Sequence, residues 1–143
     1  MLKIREIQAI ETYDLRLKVL KTSEKYIYKY QGDFDTKTKH FGAFLDENCI
    51  GIVSVMKNSL AAYSQKQIQL RGMAVAPKMQ GKNVGKQLIQ FIEKQYKQKN
   101  VSLIWCNARE YAVPFYKKLG FESIGDKFYI EHVCFHYKMI KNI

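Results

Sequence analysis

The sequence Leu70–Lys86, LRGMAVAPKMQGKNVGK, joins the pattern of a strand to a helix start that lacks the usual cap. We predict a strand over 67–76 that ends at Pro77, and a helix that begins near Gly81. Helix starts ordinarily carry a Ser, Thr, Asp or Asn cap and acidic residues in the first turn. Here glycines and lysines take those places, and the next acidic residue is Glu93.

Three lysines, Lys78, Lys82 and Lys86, lie beside amides that are already positive in a helix start. Like charge at this position costs about 0.3–1 kcal/mol per group. A bound anion would offset that cost, because glycines let a phosphate approach the backbone N–H groups and lysines supply counter-charge. The alternative is a basic surface turn that binds nothing. The segment alone favours neither interpretation.

The composition bounds the class of protein. With 143 residues, of which 47% are hydrophobic, the chain is expected to form one domain over residues 1–143. No apolar run is long enough to span a membrane, and residues 1–9 lack the apolar core of a signal peptide, so we expect a cytoplasmic protein without a membrane partner. Cys49, Cys106 and Cys134 are odd in number and widely spaced, which predicts neither disulfides nor a metal site.

The net charge of +11 predicts an anionic partner, either a nucleic acid, a membrane surface or a phosphorylated ligand. Of the 24 basic residues only four are arginines, and the basic residues are scattered along the chain. Nucleic-acid recognition relies on clustered basic residues, and base readout relies on arginine above all. The composition therefore argues against a nucleic-acid binder, which we keep as the last alternative.

The hydrophobic periodicity predicts an α/β (mixed α+β) protein with a central mixed, mostly antiparallel sheet and helices on both faces. Short links predict antiparallel pairing of the early strands, whereas the intervening helix makes 67–75 and 101–106 parallel neighbours. The segment 22–39 is predicted to be an ordered loop or a broken helix. Strands are predicted at 2–7, 41–45, 50–56, 67–75, 101–106, 121–124 and 128–139, and helices at 11–21, from about 81, and at 109–119.

Two motifs in the expected order resemble the GNAT superfamily of acyl-CoA-dependent N-acetyltransferases. The first is LRGMAVAPKMQGKNVGKQLI, with the family's Q/R-x-x-G-x-G/A signature at 80–85, and the second is WCNAREYAVPFYKKLGFESIG at 105–125. The resemblance extends over roughly residues 40–140, and CFHYKM at 134–139 is similar to the family's closing strand. One departure is Asn83, where the family usually has glycine. Asparagine tolerates a positive φ better than most residues, so we expect the turn to survive.

The resemblance implies that acetyl-CoA is the co-substrate and that two parallel strands splay apart to admit it. The backbone N–H groups of 81–86 would hold the pyrophosphate, and the strand end 73–75 would pair with the pantetheine amides. Asn107 would hydrogen-bond the pantetheine arm, and Ala112 is small enough to let the cofactor lie close. The residues to which the resemblance assigns coenzyme contacts are Met73, Ala74, Val75, Gln80, Gly81, Lys82, Asn83, Val84, Gly85, Lys86, Asn107 and Ala112.

The implied reaction is direct attack of a neutral primary amine on the thioester in a ternary complex, with an oxyanion-stabilising N–H near Val75. Tyr116 matches the family's general acid. A phenol has a pKa of about 10 and a free thiol about 8.5, so the phenol is suited to protonating the departing thiolate. The alternative for Tyr116 is a packing tyrosine whose hydroxyl reaches solvent. A non-catalytic acyl-CoA-binding module is the alternative function.

The sequence leaves the general base and the acceptor open. Base candidates are Glu110, Glu131, His132 and His136, and a water relay is equally plausible. No role is assigned to Cys106. We expect a small amine acceptor bound by segments 16–35 and 127–136, where Asp33 and Asp35 could attract an ammonium group or merely form a polar turn. The sequence leaves the oligomeric state open, with a homodimer among the alternatives.

Overall fold

Seven strands form one sheet in the computed structural model, which describes residues 1–143. The sheet order is β1-β2-β3-β4-β5-β7-β6, and every neighbouring pair is antiparallel except β4 and β5. The predicted mixed, mostly antiparallel sheet is thereby confirmed. The strands are β1 (Leu2–Ile7), β2 (Lys39–Leu45), β3 (Asn48–Met56), β4 (Gln67–Val75), β5 (Leu103–Arg109), β6 (Glu122–Ile130) and β7 (Cys134–Asn142).

One face of the sheet is covered by α2 (Val84–Lys97) and α3 (Val113–Lys118). The predicted helical spacing is confirmed, because the buried side chains of α2 recur along one stripe and pack against the sheet. Tyr116 of α3 belongs to the same core cluster. The buried residues of α2 are Val84, Gly85, Leu88, Ile89, Ile92 and Tyr96.

The opposite face is covered by a helical segment at 9–20. It consists of a 3₁₀ turn (Ala9–Thr12), the short α1 (Tyr13–Leu15) and a π-helical turn (Arg16–Leu20). The prediction of one regular helix at 11–21 is therefore wrong in type, although helices on both faces are confirmed. None of the helices is both long and apolar enough to cross a membrane.

In segment 22–39 only Lys39, the first residue of β2, belongs to a helix or strand. The rest of the segment is held by one buried ion pair, so the ordered-loop alternative is confirmed. The Arg16 guanidinium donates to both carboxylate oxygens of Asp33, at 2.7 and 3.0 Å, and both side chains are almost fully buried. Arg16 also donates to the Tyr28 carbonyl and the Ser54 hydroxyl. Because its carboxylate is committed to Arg16, Asp33 is not available to attract an acceptor ammonium group.

The last two strands differ from the prediction. We expected strands at 121–124 and 128–139, whereas β6 runs through Gly125 with a register irregularity, and a turn at 131–133 separates it from β7. His132 takes the left-handed backbone conformation of this turn, with φ 64°. No glycine, proline or asparagine marks the turn in the sequence, so the pattern resembled one long strand.

The parallel strands β4 and β5 splay apart, as predicted. Their pairing begins at Gln67↔Leu103 and stops at Leu70↔Cys106, although both strands continue. Just past that point Gly72 has φ +61°, and the β3–β4 register shifts between Ile52 and Ser54. A Cβ on Gly72 would lie 2.8 Å from the Tyr30 ring, so only glycine fits this irregularity. The separation opens a cleft in the middle of the sheet.

Candidate active site

The cleft between β4 and β5 has a volume of about 590 Å³. Both strands line it, together with parts of the loop 22–39, the start of the segment carrying α3, and the β6–β7 turn. The Thr22 hydroxyl donates to the His132 carbonyl at 2.7 Å, which ties that loop to that turn. The two segments that the sequence predicts for the acceptor, 16–35 and 127–136, thus meet at this cleft.

Tyr116 lies at the α2–α3 side of the cleft and is only 7% exposed. Burial raises the pKa of its hydroxyl well above the ordinary value of 10.0, and the neighbouring Cys106 thiol and Tyr111 act in the same direction. The phenol is therefore protonated at neutral pH, as a proton donor must be. Tyr116 therefore holds its proton more firmly than the ordinary pKa of a phenol, which the sequence analysis used, would indicate.

The pKa of the Cys106 thiol is shifted by the same environment. Burial raises its pKa to about 12, and its interaction with the Tyr116 side chain only partly opposes that rise. Desolvation at this end of the cleft therefore disfavours a negative charge on sulfur, as it does on the Tyr116 oxygen.

The start of α2 is uncapped. Asn83 is the N-cap with φ 65° and ψ 17°, makes no side-chain capping hydrogen bond, and no acidic residue occupies the first turn. The first intrahelical bond is donated by the Gln87 amide to the Asn83 carbonyl at 3.0 Å. The three preceding amides, those of Val84, Gly85 and Lys86, have no partner within the helix. The expectation that Asn83 sustains a positive φ is confirmed.

Lys78, Lys82 and Lys86 surround this helix start, and all three are exposed. None of them forms an ion pair with a carboxylate. Gly81 has φ +78° with open space around it, so its backbone is accessible. The segment therefore presents free amides and uncompensated positive charge together, which is the arrangement that favours an anion.

Gly85 differs from Gly81. It is buried, and a Cβ there would lie 3.0 Å from the Phe115 ring, so it allows α2 and α3 to pack closely. The Gln80 side chain donates to the Val75 carbonyl at 3.0 Å, which fixes the turn to the end of β4. Of the predicted coenzyme residues at this helix start, Val84 and Gly85 are buried.

The structure brings some predicted site residues together and separates others. Met73, Asn107, Ala112 and Tyr116 line one cleft. The Asn107 amide oxygen already accepts a hydrogen bond from the Lys138 ammonium at 3.1 Å. Ala74, Val75 and the turn 80–86 lie outside the cleft, along the path from the end of β4 to α2.

His136 is the one base candidate that is buried, fixed and in the cleft. Its Nδ1 lies 2.8 Å from the Cys134 carbonyl. A carbonyl only accepts, so Nδ1 carries the proton and Nε2 carries the lone pair. Burial and Arg109 lower the pKa of His136 below 6.5, against the opposing effect of the bond to Cys134, and the imidazole is neutral at neutral pH.

The other base candidates are less well placed. Glu110 does not line the cleft and approaches Lys127 at 3.8 Å. Glu131 and His132 lie on the β6–β7 turn, where both side chains are exposed and 3.7 Å apart. Neither is held in one orientation by a buried partner. His136 therefore has the best geometry for accepting a proton.

An aromatic and arginine cluster was not predicted from the sequence. The Arg71 guanidinium lies 4.5 Å from the Tyr30 ring centre, and the Arg109 guanidinium lies 5.8 Å from that of Tyr26. The hydroxyls of Tyr26 and Tyr30 are hydrogen-bonded to each other. The only signal in the sequence was the alternation of tyrosines at 26–30. Such aromatic side chains need other residues to pack against, but the sequence does not show which residues these are.

Comparison with known proteins gives a consistent result. The family model described as acetyltransferase (GNAT) domain matches residues 9–142. The uncharacterized N-acetyltransferase YitI of Bacillus subtilis strain 168 is 30% identical over 145 residues, covering 100% of this chain and 97% of the relative.

Solved structures show the same fold. A GNAT-family acetyltransferase from Staphylococcus aureus Mu50 superposes with a TM-score of 0.77 at 17% identity, covering 99% of each chain. The PaiA N-acetyltransferase of Thermoplasma acidophilum, solved in complex with coenzyme A, superposes with a TM-score of 0.70 at 18% identity, covering 100% of this chain and 99% of that one.

The family match spans nearly the whole chain, and the curated relative aligns from end to end. The splayed parallel strands and the uncapped helix start occur where the two sequence motifs lie. The chain belongs to the GNAT acetyltransferase family and is an N-acetyltransferase.

Proposed function

We propose that this enzyme transfers an acetyl group from acetyl-CoA to a primary amine, by direct attack within a ternary complex. The observation that carries the proposal is the cleft between β4 and β5, which has the protonated Tyr116 on one side and the neutral His136 on the other. A proton donor and a proton acceptor at one opening in a sheet are what amide formation from a thioester requires.

The coenzyme would bind at two places, the start of α2 and the end of β4. The free amides of Val84, Gly85 and Lys86 would receive the pyrophosphate, with Lys78 and Lys82 as counter-charge. The pantetheine arm would follow the backbone 73–75 toward the cleft. Asn107 and Ala112 line the cleft and would contact the end of that arm.

The reaction balances with the groups present. The amine nitrogen attacks the thioester carbonyl carbon, and an N–H near Val75 would stabilise the oxyanion that forms, a contribution of about 2.7–4 kcal/mol for one such donor. His136 Nε2 accepts the proton that the nitrogen loses. The carbon–sulfur bond breaks, and the Tyr116 hydroxyl protonates the departing sulfur. The products are an N-acetylated amine and a free thiol.

The two side chains lie on opposite faces of the sheet. His136 pairs with Arg109 across β5 and β7, so the two share a face. Tyr116 belongs to the core cluster of the other face, with Cys106 and Ala108. The acceptor would therefore enter from the face of segment 9–20, and the thioester from the face of α2 and α3.

A thiol-release assay with acetyl-CoA and a panel of primary amines tests the proposal. We expect release that depends on both substrates and an acetylated product of matching mass. If acetyl-CoA stabilises the protein while no amine of the panel is acetylated, the chain is a binding module instead. If acetyl-CoA neither binds nor stabilises it, both interpretations are wrong.

A further inference from the structure

Most of the charged side chains that line the cleft are positive. Four of them are cations, namely Lys25, Lys29, Arg71 and Arg109, and one is a carboxylate, Glu131. Glu131 is exposed on the β6–β7 turn, and its carboxylate lies 3.7 Å from the His132 imidazole. The acceptor side of the cleft therefore has excess positive charge that no protein carboxylate neutralises.

Arg71 lies on β4 next to the Gly72 irregularity and is half-buried. Its guanidinium stacks on the Tyr30 ring and contacts the Met56 sulfur at 3.9 Å, but it forms no ion pair. The contrast with Arg16 is informative, because Arg16 stacks on the same ring at 3.8 Å and is fully paired with Asp33. Of these two neighbouring guanidinium groups, the one in the cleft lacks a carboxylate.

Arg109 lies at the end of β5 and is also half-buried. One of its five N–H groups donates to the Leu20 carbonyl at 2.8 Å, and the guanidinium faces the Tyr26 ring. Burial raises the pKa of Tyr26, so this phenol stays neutral and does not neutralise Arg109. Arg109 too has no carboxylate partner.

Half-buried guanidinium groups without a counter-ion are costly, whereas a carboxylate or phosphate completes them with charge-assisted hydrogen bonds. The same field repels an acceptor that carries several ammonium groups. The geometry points to an acceptor amine that also bears an anionic group, a carboxylate or a phosphate, bound by Arg71 and Arg109. This inference rests on the proposed acetyl transfer and adds the chemical class of the acceptor.

The arginines are well placed for this role relative to the base. Arg109 pairs directly with His136 in the β5–β7 register, so their side chains lie side by side on the acceptor face. Arg71 reaches the same cleft from β4. An acceptor whose anionic end contacts the guanidinium groups would hold its amine close to His136 Nε2.

The test compares acceptors of similar length that differ in one end group. The probes are β-alanine, phosphoethanolamine, β-alaninamide and ethylenediamine, with a longer homologue of each. We expect kcat/KM to be about tenfold or more higher for an anionic acceptor than for the matched amide, and lowest for the diamine. The carboxylate and phosphate arms show which anion the site takes.

Two variants locate the effect. In Arg71→Gln and Arg109→Gln we expect the anionic preference, which is the ratio of kcat/KM for the anionic acceptor to kcat/KM for the matched amide, to fall toward unity while acetyl-CoA affinity is retained. Arg→Lys at either position should keep part of the preference, because charge remains while the two-pronged fork is lost. Arg5→Gln is the matched control, since Arg5 stacks on Phe44 outside the cleft.

The results separate the inference from the proposed function. Acetylation of the neutral amide without an anionic preference overturns the inference and keeps the function. Weaker acetyl-CoA binding in the arginine variants also overturns it, because the arginines would then serve the coenzyme. If nothing is acetylated, calorimetric titration of β-alanine and phosphoethanolamine into the coenzyme A-loaded protein decides. Binding that the variants lose supports the inference, and no binding or unchanged binding contradicts it.

Discussion

The Tyr116 hydroxyl and the Cys106 thiol interact at the point where β4 and β5 separate, and burial raises the pKa of both groups. One lies on α3 and the other on β5, so the contact joins the two elements that bound the thioester side of the cleft. A phenol that lines the cleft and stays protonated is the structural basis for our assignment of the acid.

Replacing Tyr116 with phenylalanine removes the proton donor and little volume. We expect acetyl-CoA binding to persist while kcat falls by about 10²-fold or more, because a positioned general acid contributes on that scale. Steady-state kinetics and a thermal-shift titration measure the two effects. Tyr96→Phe is the control, since Tyr96 is equally buried but lies on α2 away from the cleft. Equal losses in both variants would assign Tyr116 to packing alone.

Alkaline pH should destabilise the native state through Cys106. In the unfolded chain this thiol loses its proton above about pH 9, whereas the folded state holds it until about pH 12. Between those limits the unfolded state binds fewer protons, so the free energy of unfolding falls as pH rises. Urea unfolding across this range should give a shallower fall for Cys106→Ala than for the wild type. Parallel slopes would contradict the raised pKa.

Loss of the His136 imidazole should remove the base while leaving the acid in place. We expect His136→Ala to lower kcat by about 10²-fold, and added imidazole to restore part of it. Because burial lowers the pKa of His136, the wild-type base stays neutral down to a pH below 6.5 and is protonated only under more acidic conditions. Imidazole should not rescue Tyr116→Phe. Unchanged kcat in His136→Ala would favour a water relay.

The helix start of α2 allows stability and binding to change in opposite directions. In Lys86→Glu a carboxylate replaces an ammonium group in the first turn, so we expect the protein to gain about 0.3–1 kcal/mol of stability. The same change should weaken acetyl-CoA binding, because a negative charge replaces a counter-charge of the pyrophosphate. Lys97→Glu at the other end of α2 should lose stability and leave binding unchanged. Stabilisation without weaker binding would exclude Lys86 from the coenzyme site.

The local sequence pattern was sufficient to predict most strands of the sheet. The predicted strand, 67–75 or 67–76, agrees with β4 to within one residue, and the parallel pairing with β5 followed from the helix between them. The stripe of apolar residues on α2 also followed from spacing, since Leu88 and Ile92 recur every four residues. These features depend on residues close together in the chain.

The β6–β7 turn was not predictable in this way, because it contains no glycine, proline or asparagine. His132 takes φ 64° between β6 and β7, a conformation that costs a residue with a side chain about 1–2 kcal/mol. The Thr22 hydroxyl donates a hydrogen bond to the His132 carbonyl in this turn, and Thr22 is 110 residues away in the chain. Interactions over such a separation leave no local pattern.

The acceptor side of the site is built from long-range pairs of the same kind. Arg16 meets Asp33 only because segment 9–20 and the loop 22–39 fold onto β3 and β4. Arg109 and Tyr26 approach each other from β5 and that loop. The coenzyme motif was recognisable because it is contiguous, whereas the acceptor site is assembled from segments that are far apart in the sequence.

A crystal structure of the protein with acetyl-CoA tests the central claim most directly. We expect the pyrophosphate to contact the backbone amides of 84–86 behind Pro77, and the thioester sulfur to lie within hydrogen-bonding distance of the Tyr116 hydroxyl. A coenzyme that binds elsewhere, or a sulfur turned away from Tyr116, would contradict the account.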